Sequence, residues 1–385
     1  MEGQEKNLGN SIGKIRILHV AQAAGGVDRY LRMLFKYLDK EKFETIFVCS
    51  QDFRREDYEG LVTHFEVLQM TREISCNDLK LVFALRRLIK KYRPNIVYAH
   101  SSKAGAVARM ADIGIKNTCI YNPHGWAFNM RTSSDRKQEM YAMIEKVASP
   151  FCKKIICISE AEKTAALEKK ICQENKLQVI YNGVDLEEYE NAAHGAIRRE
   201  DISIPKDAFI IGTVGRLTPQ KAPDVFIKAA NQIRNSIPEA YFIIVGNGEM
   251  EDIVRAYAKK NGMEDRLLIT GWVDEPLQYV ELFDVALLLS RWEGFGLVLP
   301  EYMMVGKPIV ATKVDAIPEI VKDMENGLLV EVDDVDGVCG AVIKLYEDKD
   351  LRERFIGTGR RITDKRFNAK RVAKEHEAMF MRLYR

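Results

Sequence analysis

The chain has no Cys-x-x-Cys pair, and no histidine stands at metal-ligand spacing beside any of its seven cysteines. Cys49, Cys76, Cys119, Cys152, Cys157, Cys172 and Cys339 are scattered and odd in number. This excludes a zinc ribbon and a disulfide framework and fits a reducing cytosol. Long apolar runs are missing too. The polar start MEGQEKNLGNSIGK is followed by apolar sequence only from Ile15 to Val20, far below the ~20 residues of a membrane span. The sequence therefore predicts a cytoplasmic protein, neither secreted nor membrane-spanning. Charge of one sign is lacking as well, since 58 Lys and Arg face 56 Asp and Glu. Nucleic acid is not an expected partner of such a balance. Beneath it lies a local bias: residues 1–190 carry 30 basic and 25 acidic side chains, the remainder 28 and 31. The first apolar run is not followed by a full Gly-x-Gly-x-x-Gly, as a dehydrogenase would require.

What is present is enough chain for two α/β domains, 385 residues at 46% hydrophobic. Short β-rich runs alternate with amphipathic helical patterns: IRILHV, ETIFVCS, NIVYAH, TCIYN, KIICIS and LQVIYN, then AFIIGTV, AYFIIVG, RLLITG, DVALLLS and KPIVAT. Continuous apolar strands of this kind belong to parallel sheets covered on both faces. Two series predict two doubly wound, Rossmann-like domains, with a polar linker after Ile180 and before Phe209.

Ligands of such sheets bind where strands end and helices begin, and three junctions stand out. Gly25-Gly26 follows the first strand and opens a helix, a turn that suits either close approach of an anion or plain strand-to-helix packing. Gly215-Arg216-Leu-Thr-Pro-Gln-Lys221 places two cations at a helix start, where they could converge with the helix dipole on a diphosphate. Glu293-Gly294-Phe295-Gly296-Leu297-Val-Leu-Pro300-Glu301 puts two carboxylates around a tight backbone, with Pro300 and Glu301 in the first turn of a helix. Such carboxylates accept from the hydroxyls of a sugar and a ribose.

This last string resembles the Glu-x7-Glu hallmark of the family-4 retaining glycosyltransferases. Gly306-Lys-Pro308-Ile-Val-Ala-Thr312, Ile317-Pro318-Glu319-Ile320, Gly215-Arg216 with Lys221, Val245-Gly246-Asn-Gly248 and Asn182-Gly-Val-Asp185 match further family elements, so the likeness runs along almost the whole chain. It implies a GT-B fold, two Rossmann-like domains facing a central cleft. The acceptor-binding domain would span 1–190 and the nucleotide-sugar domain 191–367. A last helix, 368–385, would cross back with Val372, His376, Met379, Phe380 and Leu383 on one face.

The resemblance also implies roles. Arg216 and Lys221 would neutralise the leaving diphosphate beside Gly215 and Gly246, Glu293 would contact the transferred sugar, and Glu301 would hold the ribose. Backbone N–H groups of Gly294, Phe295, Gly296 and Leu297 would lie near sugar or phosphate, and Trp272 and Val273 near the base. Gly25 and Gly26 would face the donor from the first domain. His124, in Asn122-Pro-His124-Gly125, would hydrogen-bond near the reacting centre. From its position alone, ending a strand and opening a helix, His100 would line the acceptor side, although an N-cap at Ser101 or Ser102 accounts equally for its surroundings. The expected donor is a UDP-hexose or UDP-N-acetylhexosamine, attacked on its front face with retention, without cofactor or divalent metal. Asp334-Val-Asp336 reads as a helix cap. Two departures from the family, Asp28 after the paired glycines and Ala222 after Lys221, predict altered acceptor contacts.

The basic helix from Lys80 to Lys91, with Arg86, Arg87 and Lys90, suits either a lipid-linked acceptor at an anionic membrane or a packed helix with a solvated face. The expected acceptor is a polyprenyl-linked sugar or polysaccharide of surface-polymer synthesis, met at the inner face of the cell membrane. Rival readings are a GT-B nucleotide-sugar epimerase or hydrolase, and a nucleotide-sugar-binding protein with a dead site. The intact Arg216, Lys221, Glu293 and Glu301 argue against the latter.

Overall fold

The computed structural model describes residues 13–22, 25–71, 78–191 and 194–384; Cys76 lies outside them. The apolar runs become two sheets. The first contains β1 (Ile15–Ala21), β2 (Phe43–Cys49), β3 (His64–Val67), β4 (Ile96–His100), β5 (Thr118–Asn122), β6 (Lys154–Cys157) and β7 (Leu177–Val179), in the order β3-β2-β1-β4-β5-β6-β7. Its pairs β1–β2, β1–β4, β2–β3 and β6–β7 are parallel. The second contains β8 (Phe209–Val214), β9 (Ala240–Val245), β10 (Leu267–Ile269), β11 (Val285–Leu288), β12 (Ile309–Thr312) and β13 (Leu328–Val330), parallel throughout in the order β10-β9-β8-β11-β12-β13.

Burial explains why these strands are apolar without alternation. In β8, Phe209 and Ile211 pack with Phe226 and Phe242 on one face, while Ile210 packs with Phe283 and Tyr302 on the other. Both faces are covered, so both sets of side chains must be apolar. The strand β3, which no apolar run announces, is the opposite case: none of its residues is buried, and Glu66 bonds to Lys91 and Tyr92. An edge strand of four residues needs no apolar face.

Strand order reverses between β1 and β4 in one sheet and between β8 and β11 in the other. Crevices for ligands open at the carboxyl ends of strands flanking such reversals. The turn 215–221 follows β8 and the loop 289–297 follows β11, so chain topology alone brings these two segments together. The expected linker holds a short helix, Leu186–Asn191, and a 3-10 turn, Arg199–Ile202, and Val184 forms an isolated bridge with Asn368.

By compactness the chain divides into one unit of residues 1–121, 151–153 and 376–385 and another of 122–150 and 154–375. The helix Ala369–Tyr384 buries Val372, His376, Met379 and Phe380. Within the first unit, His376 Nε2 lies 2.8 Å from the Tyr30 hydroxyl and 3.2 Å from that of Tyr98, and Phe380 stacks edge-on against Phe43. No described helix is long and apolar enough to cross a membrane.

Candidate functional site

The turn after β8 is built for close backbone approach. Gly215 N–H donates to Val245 O and Leu217 N–H to Asn247 O, which lays this turn against the end of β9. A Cβ on Gly246, whose φ is +137°, would sit 2.2 Å from Gly215 O. Only glycine fits there. From this platform a 3-10 turn, Pro219–Lys221, leads into the helix Pro223–Ser236, with proline at its first position. Arg216 is exposed and makes no ion pair or side-chain hydrogen bond among the described residues. The turn thus carries Arg216 and Lys221 just ahead of a helix N-terminus, an arrangement that favours an anion. Ala222, where the family often has glycine, holds φ +49°.

Lys221 Nζ pairs with Glu293 Oε2, which also accepts from Ser290 Oγ at 3.1 Å. Glu293 N–H donates to Asp315 Oδ2 at 2.9 Å. Arg291 staples the same loop to the 215–221 turn and the helix after it through Pro219 O and Asp224, at 2.9 and 2.8 Å, and Gln220 Nε2 donates to Trp292 O at 3.0 Å. The two junctions singled out in the sequence are therefore one structure. Phe295 is buried against Phe367, and Gly296 turns the chain at φ +84°. Leu297 caps the helix Val298–Val305, whose first turn carries Glu301, 4% exposed. Val214 N–H donates to the Tyr302 hydroxyl at 2.8 Å, anchoring that helix to β8. Burial raises the Tyr302 phenol, keeping it protonated. After the bridge between Gly246 and Gly271, Trp272 stands 72% exposed with Val273 half-buried beside it. A bare indole of this kind offers a face on which a planar ring can stack.

His124 lies in the same unit, on a turn at φ +50° followed by Gly125 at +105°. Its N–H donates to Asn122 Oδ1 at 2.9 Å. This turn meets the glutamate loop: a Cβ on Gly294 would lie 3.3 Å from Gly125 Cα.

Sequence reasoning missed what holds that meeting point. Ser159 caps the helix Glu160–Glu168; its Oγ accepts from Glu162 N–H at 3.1 Å and donates to Gly294 O at 3.0 Å. The Glu162 carboxylate, 3% exposed, accepts from Gly125 N–H at 2.6 Å and Ile158 N–H at 2.7 Å. Burial pushes its carboxyl up to about 7 against the pull of those two donors. Glu319, present in the matched Pro-Glu-Ile element but assigned no role, accepts from Glu160 N–H at 2.9 Å and Ala161 N–H at 2.6 Å. The spacing Ser159-x-x-Glu162 is the capping-box signature and would have marked this helix start.

Gly25 and Gly26 belong to the other unit, where Gly25, at φ +91°, caps the helix Gly26–Tyr37; their neighbours Ala23 and Ala24 lie outside the described residues. Asp28 is engaged by Tyr58 at 2.7 Å and Arg32 at 3.0 Å. The expected acceptor-side role of His100 is corrected. It is fully buried, its Nε2 3.1 Å from His19 Nδ1 and its ring 4.2 Å from Tyr98, so no acceptor can reach it. The Ser101 cap fails as well, because its side chain makes no capping bond. Asp334 does cap a helix, accepting from Gly337 N–H at 2.8 Å. Among the described residues, no three His, Cys, Asp or Glu side chains gather in metal-ligand fashion.

Two family models match the chain, Glycosyltransferase Family 4 over residues 24–188 and Glycosyl transferases group 1 over residues 196–362. The chain is 32% identical over 349 residues to the Escherichia coli UDP-Gal:alpha-D-GlcNAc-diphosphoundecaprenol alpha-1,3-galactosyltransferase, an overlap of 88% of this chain and 89% of that protein. It is 24% identical to the capsular polysaccharide biosynthesis glycosyltransferase CapM of Staphylococcus aureus, over 95% of this chain and 96% of the relative. Among solved structures, Anabaena HepE in complex with UDP and glucose superposes with a TM-score of 0.83 at 21% identity, covering 95% of this chain and 99% of that one.

Proposed function

The chain belongs to glycosyltransferase family 4, with the GT-B fold, and from that premise we propose that it moves a hexosyl or N-acetylhexosaminyl unit from a UDP-sugar to a lipid-linked sugar or polysaccharide acceptor, with retention and without a metal. The observation that carries this reading is the Lys221–Glu293 pair on the turn that also carries Arg216, exposed and without an ion pair among the described residues. In the free enzyme Glu293 keeps Lys221 poised at the helix start. When a diphosphate enters, Lys221 and Arg216 take its charge, and the Glu293 carboxylate is released to accept from the hydroxyls of the sugar. As the C1–O bond to phosphate lengthens, negative charge grows on the departing oxygen, where the two cations and the helix N-terminus lie. The acceptor hydroxyl attacks on the same face, and its proton passes to the departing phosphate oxygen. His124 hydrogen-bonds near this centre, Glu301 holds the ribose, and Trp272 stacks on the base.

A lipid end of the acceptor is supported by the surface of the first unit. The helix Asp78–Tyr92 buries Leu81, Leu85 and Ile89, and turns Leu79 and Phe83 outward beside Lys80, Arg87 and Lys90. Arg86 donates to Ala111 O and Ile113 O, both at 2.7 Å, bringing the exposed Met110 and Ile113 to the same patch. Apolar tips ringed by cations suit the interface of an anionic bilayer.

The test is nucleotide release in EDTA from a panel of UDP-, GDP- and ADP-sugars, with the protein also spun down on phosphatidylglycerol vesicles. Release from a UDP-sugar is expected, with kcat falling about 100- to 1,000-fold in Lys221→Ala and comparably in Glu293→Ala. Release that requires a divalent ion, or survives both substitutions, would overturn the reading, and protein left in the supernatant would remove the membrane contact.

A further inference from the structure

The start of the helix Glu160–Glu168 is where three site elements meet. Ser159 Oγ holds Gly294 O of the glutamate loop, the Glu162 carboxylate holds Gly125 N–H of the histidine turn, and Glu319 of the Pro-Glu-Ile element holds the first N–H groups of the helix itself. An ordinary N-terminus would spend such acceptors on its own backbone. Here Glu162 leaves its own helix and reaches residue 125, which stands 37 positions earlier in the chain. Trp126 Nε1–H donates to Glu162 O at 2.9 Å, clamping the same turn from its far side.

We propose that Glu162 is a positioning residue of the sugar transfer, setting the His124–Gly125 turn against the Gly294 loop, with Ser159 as its counterpart on the loop side. The inference rests on the proposed role of His124. A carboxylate is suited to the task because only an acceptor with two free oxygens can take N–H groups from residues 125 and 158 together. Glutamine, its nearest isostere, would turn an NH2 donor toward one of those N–H groups. The turn then loses one tether while the helix and the core around it keep their packing. Displacing a reacting group by about 1 Å can lower a rate by roughly 100-fold without any loss of binding. The donor itself is held elsewhere, by Lys221, Arg216 and Glu301.

The protonation of Glu162 adds a second reading of the same bond. Glu319 and Cys157 are the titratable groups that act on it or respond to it. With its carboxyl near 7, acidification replaces one acceptor by an O–H and frees the turn. Activity should therefore rise with pH through about 7, and this limb should vanish in the variant.

The experiment compares Glu162→Gln, Ser159→Ala and His124→Ala by kcat, donor KM, pH profile and thermal melting. Glu162→Gln is expected to lower kcat by roughly 100-fold, with donor KM and melting temperature unchanged and the limb near 7 lost; Ser159→Ala should lower kcat by a smaller factor. Unchanged kcat in a folded Glu162→Gln protein, or a kcat that falls only together with melting temperature, overturns the inference. If Glu162→Gln does not fold, Ser159→Ala decides by the same criteria. Full activity in His124→Ala would instead refute the role of His124 itself, whatever Glu162→Gln does.

Discussion

His100 and His124 look alike in the sequence, each a histidine where an apolar strand gives way to small or polar residues, yet the fold makes opposite use of them. His100 is wholly buried, against His19 and Tyr98. His124 is half-buried on a turn with positive φ. What separates them is the next step of the chain: after β4 it enters the helix Ser102–Ala111 at once, while after β5 it runs on through Pro123 to Gly125 before the 3-10 turn Ala127–Asn129. One histidine closes a core, and the other is left partly open on a turn, where the proposed reaction would use it.

The sharpest way to break this contrast is to remove each ring. His124→Ala should cut turnover by about 100-fold or more, the scale of a lost proton-handling or hydrogen-bonding group, with little change in melting. His100→Ala should do the reverse. It opens a cavity and strands His19 Nδ1, costing about 2–4 kcal/mol, while turnover per folded molecule stays intact. Urea unfolding and initial rates on the same samples check both, and an inactive but stable His100→Ala would return that residue to the acceptor side.

The two regions should also respond to pH with opposite sign. Burial and the nearby His376 depress His19 from 6.5 to about 3. Between those values the unfolded chain binds the proton and the folded one does not, so stability rises with pH up to about 6.5 and is lost on acidification. Glu162 is raised from 4.5 to about 7. Across that window the folded state holds the proton, so its contribution is present at low pH and is lost as pH rises. Each slope is at most about 1.4 kcal/mol per pH unit, and from 4.5 to 6.5 they oppose each other. Urea midpoints measured across pH should thus be flat there in the natural protein. They should rise with pH in Glu162→Gln and fall with pH in His19→Asn; a Glu162→Gln protein that stays flat would show that His19 is not excluded from protonation as its burial requires.

The sheets were legible because strands covered on both faces cannot avoid continuous apolar runs, and the junctions at 215–221 and 293–301 because glycines and charges at strand ends have few other uses; that the two join through Lys221 and Glu293 was not. The polar edge strand β3 was not legible, since nothing in His64–Val67 needs a core. Ser159, Glu162 and Glu319 escaped for another reason. Their bonds span 135, 37 and 158 positions, and no local spacing announces a partner that far away. His100 was misread because burial is decided by what packs over a strand end, here His19 and Tyr30, and neither is near it in sequence.

The smallest effect tests whether strain at the two strand ends has one meaning or two. Ser101, directly after His100, holds φ 76° and ψ 158°, a region that glycine alone occupies freely. Its Oγ is buried without a hydrogen-bond partner among the described residues. Ser101→Gly relieves both, and should stabilise the protein by about 1 kcal/mol, a rise of roughly 2–4 °C in melting temperature, with turnover unchanged. His124→Gly relieves a similar positive φ but removes the ring, so a gain in melting should come with the loss of turnover. If Ser101→Gly melts higher and works normally, the strain after β4 is only the cost of a tight strand-to-helix step. If it melts higher and loses activity, the strained end of β4 serves the reaction as that of β5 is proposed to do, and the distinction between the two histidines falls.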